Sequence, residues 1–222
     1  MTKVGSIERV TQNRVVKLFQ EELDYTYLGD WQERENNSNI EEELLTNYLT
    51  RKEYTTVQIS RAIFELKNTA NNFNDSLYTT NKNVYKQLRY GVKVKADASS
   101  HFETVQLINW DKFSDNDFAI VEEVTIKGNK TKRPDIVIYI NGIALGIIEL
   151  KRSTVTINDG IRQNITNQQD QFIQSYFATV QYLFAGNDTE GLRYGTINTE
   201  EKYYLKWKED VTDNSRISQT SK

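Results

Sequence analysis

The chain has 222 residues, 37% of them apolar and 11% aromatic, so it can bury a substantial core and is no disordered tail. It carries no cysteine, which excludes disulfides, thiolate metal sites and a cysteine nucleophile; its one histidine, His101, sits in a polar stretch and reads as a surface residue. A formal charge of −3 argues against a generally basic nucleic-acid binder, and no apolar run approaches the ~20 residues of a membrane span, so the expectation is a cytoplasmic protein with no membrane association.

From Ser6 to Leu23 the residues Ile7, Val10, Val15, Leu18 and Phe19 recur at helical spacing, with Ser6 able to cap the start. Leu28-Gly29-Asp30-Trp31 ends that helix, and the polar run 32–39 reads as a loop. Three further helices are predicted: from near Ile40 to Leu49, from Thr56 to Asn71, and from Asn81 to Tyr90, so 32–90 reads as a helical insertion. The basic run Lys82, Lys86, Arg89, Lys93 and Lys95 reads as a solvated face. After Gly91 the pattern turns β-rich, with strands expected over Val105–Ile108, Phe118–Lys127, Ile136–Ile140 and Ala144–Leu150. The last two are separated by Asn141-Gly142, a strong hairpin signal, and both are apolar on both faces, which places them mid-sheet with each face covered. A long helix is expected from Gly160 to Tyr182, running into a strand over Val180–Ala185, and Leu192–Ile197 is the last strand. Residues 1–210 then form one domain and the polar tail from Val211 a flexible linker. With one proline and ten glycines, the composition suits an α/β fold: a central mixed sheet flanked by helices.

Two carboxylates and a lysine stand at the ends of the paired apolar strands: Asp135, then Glu149 and Lys151. Charges are costly at such positions unless they bind something. Glu149 and Lys151, two apart on a strand, share a face, while Leu150 points into the core and leaves its carbonyl available. An Asp, a Glu and a main-chain carbonyl are the hard oxygen ligands that Mg²⁺ takes. A structural ion pair is the competing reading. Hairpin parity separates the two: a regular two-residue turn pairs Asp135 with Ile148 and puts Asp135 and Glu149 on opposite faces, so a metal site requires an odd loop or a bulge. A three-residue loop, Ile140-Asn141-Gly142, is one such route: it pairs Asp135 with Ile147 and makes Glu149 its diagonal neighbour. Just before the site, Lys127, Lys130, Lys132 and Arg133 are candidates for binding phosphate.

The segment from Arg133 through Pro134-Asp135 to Glu149-Leu150-Lys151 resembles the nuclease motif of the restriction (R) subunit of type I restriction-modification enzymes, within the PD-(D/E)xK nuclease superfamily. Asn109-Trp110-Asp111, Asn116-Asp117-Phe118, the helix Glu8 to Val15 and Tyr25 to Trp31 resemble that family too. The resemblance implies a restriction-endonuclease-like fold and Mg²⁺-dependent hydrolysis of double-stranded DNA. It also implies work in a complex with modification (M) and specificity (S) subunits and with an ATP-dependent motor. No Gly-x-x-x-x-Gly-Lys-[Ser/Thr] loop occurs here, so ATP would belong to a motor outside this chain. On the resemblance, Asp135, Glu149 and Lys151 are the motif residues, Gln163 fits the Gln of a Gln-x-x-x-Tyr element with Asn167 where Tyr would stand, and Glu8 is the acidic residue brought near the metal. A catalytically silent DNA-binding or assembly module, and a stand-alone restriction or repair nuclease of the same superfamily, are the alternatives.

Overall fold

The computed structural model describes residues 4–72, 74–95 and 101–208, with the side chains of 4–8 outside that description. Among the described residues a seven-stranded mixed sheet, in the order β1-β4-β5-β6-β7-β8-β9, forms the centre. Its strands are β1 (Thr26–Asp30), β4 (Phe118–Glu122), β5 (Ile136–Ile140), β6 (Ile143–Leu150), β7 (Tyr182–Asn187), β8 (Gly191–Gly195) and β9 (Leu205–Lys206). The pairs β1·β4 and β6·β7 are parallel and the other neighbours antiparallel.

Because β5 and β6 alternate apolar residues to both sides, each face receives its own cover. On one side α1 (Val4–Glu21) lays Val16 on Ile120, Ile136, Ile148 and Leu150. On the other, α5 (Ile157–Asn167) lays Ile157 and Ile161 on Val137, Ile147, Leu183 and Ala185. The predicted segment Gly160–Tyr182 is thus one short helix, a turn, and a 3-10 helix over Gln174–Ala178 before β7. The helix starts earlier because Thr156 caps it, its side chain accepting from Asn158 N–H. It stops earlier because the polar residues after Asn167 turn to meet residue 129: Asn129 N–H donates to Phe172 O at 3.0 Å and its amide to Asp170 O at 2.7 Å.

The helical lobe comprises α2 (Glu42–Arg51), α3 (Thr56–Ala70) and α4 (Leu77–Tyr90). A capping box, Thr55 with Gln58, starts α3, and Ser76 starts α4 earlier than the apolar pattern alone suggests. The lobe's core, with Leu45, Leu49, Ile63, Leu66 and Leu88, continues through a small antiparallel sheet, β2 (Val92–Val94) and β3 (Glu103–Val105). Of the strand expected over Val105–Ile108 only Val105 is extended, as the last residue of β3; residues 106–108 belong to neither sheet. Two asparagines fasten the lobe to the sheet and its approach: Asn81 on α4 donates to the carbonyls of Phe177, Ala178 and Val180, just before β7, and Ala144 N–H bonds Asn39 O at 2.9 Å.

β1 and β9 escaped the sequence pattern. β1 is a short edge strand of mixed polarity beside β4, and β9 has two residues, both exposed. β4 ends at Glu122, short of the predicted Lys127, because Glu123 adopts a φ of 50° that breaks the extended path.

Candidate active site

Asn141 and Gly142 take φ values of 52° and 81°, the backbone of a two-residue type I′ turn, and Ile140 pairs with Ile143. The loop thus has two residues and not three, and of the two routes that keep the carboxylates on one face the hairpin takes the bulge. Parity is restored one residue later: Tyr139 pairs with Ala144 but Ile138 with Gly146, so Leu145 is an extra residue in a β-bulge. Beyond the bulge Ile136 faces Ile148, and continuing that register sets Asp135 directly across from Glu149, not beside it on a diagonal. The turn stays tight because Asn141 is fully buried: its amide donates to Leu107 O and Asn116 Oδ1, both at 2.9 Å, and its Oδ1 accepts Asp117 N–H at 2.7 Å. The bulge is held from outside β5, where Ala144 O accepts the Thr179 hydroxyl at 2.7 Å and Leu145 O accepts Gln181 N–H at 2.9 Å.

Glu149 is wholly buried, and the Gln163 amide, reaching over from α5, donates to its Oε2 at 2.7 Å. Asp135 is half-buried; its Oδ2 accepts Leu150 N–H at 2.6 Å, and its main-chain oxygen accepts Glu123 N–H at 2.9 Å and the Gln12 amide at 3.3 Å. Because N–H and C=O of one strand residue point to the same side, the Leu150 carbonyl is directed to the Asp135 edge while its side chain joins the α1 cluster. Lys151 shares the Glu149 face and lies by Gly160, where an added Cβ would sit 3.5 Å from its Cγ and 3.2 Å from the Ala185 Cβ. Gly160 thus allows α5 to lie close enough for Gln163 to reach Glu149. Asn167, one turn beyond Gln163, is buried and about 6 Å further along the axis, away from the carboxylates.

Asp135, Glu149, Lys151, the Leu150 main chain and Gln163 are brought together, and of the basic candidates Arg133 reaches the supports of Asp135 through Glu123. Lys130 and Lys132 stand over the Phe172 ring at 5.2 and 4.5 Å, so the loop tip docks where α5 ends, whereas Glu149 and Lys151 lie where α5 begins. Lys127 is 4.0 Å from Glu35, and Arg133 forms a 2.7 Å ion pair with Glu123. The Glu8 side chain and the tail from Val211 lie outside the described residues. Exposed on the helical lobe are Lys82, Lys86, Arg89 and Lys93, with Arg89 5.2 Å from the Trp110 ring; Lys95 is half-buried over Phe102, and His101 is exposed beyond β2.

Sequence reasoning missed the supports behind Asp135. Buried Gln12 bridges Asp135 O to the Glu123 carboxylate at 3.1 Å, while buried Glu122 accepts the Tyr27 hydroxyl at 2.6 Å and lies 3.3 Å from Arg9. Burial, together with that hydrogen bond to Glu122, pushes the Tyr27 hydroxyl up to about 12. The doublet Glu122-Glu123 inside an apolar strand was the available signal.

The turn 187–190 holds the start of α5. Glu190 accepts Ile157 N–H at 2.9 Å and the Asn187 amide at 3.1 Å, and these two bonds hold its carboxyl below the ordinary value of 4.5. A depressed folded value contributes stability that is complete above the unfolded value and lost as the pH falls through the folded one. Glu190→Gln is therefore expected to lower stability near neutrality, with the gap to the parent closing in acid. Urea unfolding of both proteins between about pH 3 and pH 7 checks this, and a pH-independent gap would remove the carboxylate from this role.

Two carboxylates and a main-chain carbonyl on one strand edge fit a hard divalent cation; among the described residues no group of three acidic or histidine side chains forms a larger cage. The family model for the N terminus of the type I restriction enzyme R protein matches residues 7–202. The chain belongs to this R-protein N-terminal family. Relatives of the R-protein domain include the type I restriction enzyme HindI endonuclease subunit of Haemophilus influenzae, 27% identical over 142 residues that cover 60% of this chain and 13% of that protein. A Methanocaldococcus jannaschii protein named as the MjaIXP endonuclease subunit of such an enzyme is 26% identical over 131 residues, 55% of this chain and 12% of that protein. The R-protein domain thus spans about an eighth of the length of these relatives. Among its described residues no helix is long and apolar enough to cross a membrane.

Proposed function

We propose that this domain is the nuclease of a type I restriction enzyme, hydrolysing phosphodiester bonds of double-stranded DNA with Mg²⁺ held by Asp135, Glu149 and the Leu150 carbonyl. The observation that supports the reading best is the bulge at Leu145, which sets the two carboxylates across from each other on one face. Bound there, Mg²⁺ would polarise the scissile phosphate and make a water acidic enough to attack. Gln163 fixes the Glu149 carboxylate through its Oε2, and the Leu150 N–H fixes that of Asp135, so both are oriented before substrate arrives. Lys151, on the Glu149 face, orients the attacking water and offsets charge building on the phosphate oxygens.

With a net charge of −3 the domain has only local cations to hold a duplex, and the DNA is delivered by other parts of the enzyme. Those parts are the ATP-driven motor of the same subunit and the M and S subunits, working in the cytoplasm. Lys151→Ala tests the assignment in the assembled enzyme. ATP hydrolysis is expected at the parent rate, with cleavage reduced by about a hundredfold or more. Cleavage at the parent rate would exclude Lys151 from the chemistry; loss of ATP hydrolysis as well would point to an assembly module.

A further inference from the structure

The sheet's two faces are unequally covered at its β7–β9 end. Toward α5, Leu183, Ala185 and Tyr204 are buried in the core. On the α1 side the same strands carry Tyr182, Phe184, Tyr194 and Leu205, followed by Trp207, and the rings form one continuous group with centroids 5.6 to 6.4 Å apart. Phe184 packs against the edge of the α1 cluster, and beyond it, among the described residues, the cover ends: Tyr182, Leu205 and Trp207 are 49%, 58% and 45% exposed. A hollow of about 420 Å³ lies among Tyr194, Leu205 and Trp207, lined also by Lys206 and Lys208. The solvent side of an antiparallel sheet is ordinarily polar, and a contiguous apolar patch of this kind marks a surface that something covers.

We propose that this aromatic face is the seat of another part of the same R subunit, one lying outside the N-terminal domain. The proposal does not depend on the nuclease reading. The related subunits are matched over only 12% and 13% of their lengths by a domain belonging to their N terminus, so most of such a polypeptide is available to lie against it. A tethered partner meets the patch at the high effective concentration that covalent linkage gives, so a modest apolar contact suffices to keep it closed. DNA suits the patch poorly. The rings lean on one another at 22° to 77° between planes and do not present a row of parallel free faces for bases.

Hydroxyl-radical footprinting of the full-length R subunit alone tests the idea, because its own exposed rings serve as references. Trp110 and Phe113, 48% and 74% exposed on the lobe side, should label freely, while Trp207 and Tyr182 label at about a tenth of that rate or less, as for a contact open below ~10% of the time. The protection should be independent of subunit concentration. Equal labelling of both sets overturns the proposal. So does protection that arises only as concentration rises, which indicates a second copy, or only on adding DNA or the M and S subunits, which assigns the face to those partners.

Discussion

Glu149→Gln is expected to leave the domain folded while reducing DNA cleavage by the assembled enzyme by about a thousandfold or more, with ATP hydrolysis untouched. The substitution keeps the shape of a wholly buried side chain, and the new amide oxygen can still accept the Gln163 amide that now reaches Oε2. What it removes is one negative charge, the property a divalent cation requires. Relief of repulsion from Asp135 across the strand pair should leave stability equal or higher. Calorimetric titration of the domain with Mg²⁺ should show binding in the parent and none in the variant, and Asp135→Asn should behave alike. If Glu149 and Lys151 were a structural ion pair instead, the uncompensated lysine would cost ~3–5 kcal/mol, and unfolding measurements would register it. Retained cleavage with either amide variant would exclude that carboxylate from the metal site.

Asn141→Ala should give the largest loss of stability. The side chain is fully buried, φ there is 52°, and three hydrogen bonds tie the turn to Leu107 O, Asn116 Oδ1 and Asp117 N–H. Removing it strands buried polar groups and puts a Cβ residue without a local hydrogen bond in the left-handed region. At ~1–3 kcal/mol for each unsatisfied group the total is roughly 3–5 kcal/mol, or a fall in Tm of roughly 10 °C. Asn141→Gly, which keeps the backbone conformation comfortable, should lose less, so thermal unfolding of the pair separates the bonds from the dihedral. A loss below about 1 kcal/mol in both would mean that these bonds do not hold the turn.

The sequence was most legible where burial imposes a period. Ile59, Ile63 and Leu66 mark α3, and the two-sided apolar runs mark β5 and β6, because water-excluded surfaces repeat with the backbone. Asp135, Glu149 and Lys151 stood out for the opposite reason, as charges at the ends of such runs. The parity of the register between them was legible, but not the means by which it is met. Asn141-Gly142 specified its two-residue turn locally, but the bulge at Leu145 depends on Asn39, Thr179 and Gln181, partners remote in the chain from β5 and β6. The path of the basic loop was not legible for the same kind of reason. Its position follows from Asn129 meeting Asp170 and Phe172, a contact between loops that carries no periodic signal.

The bulge also limits how this hairpin can change over evolutionary time. Which side of the sheet receives Glu149 depends only on whether the count of unpaired residues between the two motif halves is odd or even, and here two turn residues plus Leu145 make it odd. Losing or gaining one residue inverts the outcome and sends Glu149 and Lys151 toward α1, whatever their identities. Changes in pairs are neutral, and so is exchanging a bulge for a longer turn. Homologous hairpins should therefore differ in length by even steps, or trade bulge against loop, and two chains can share the same chemistry while aligning poorly through this stretch.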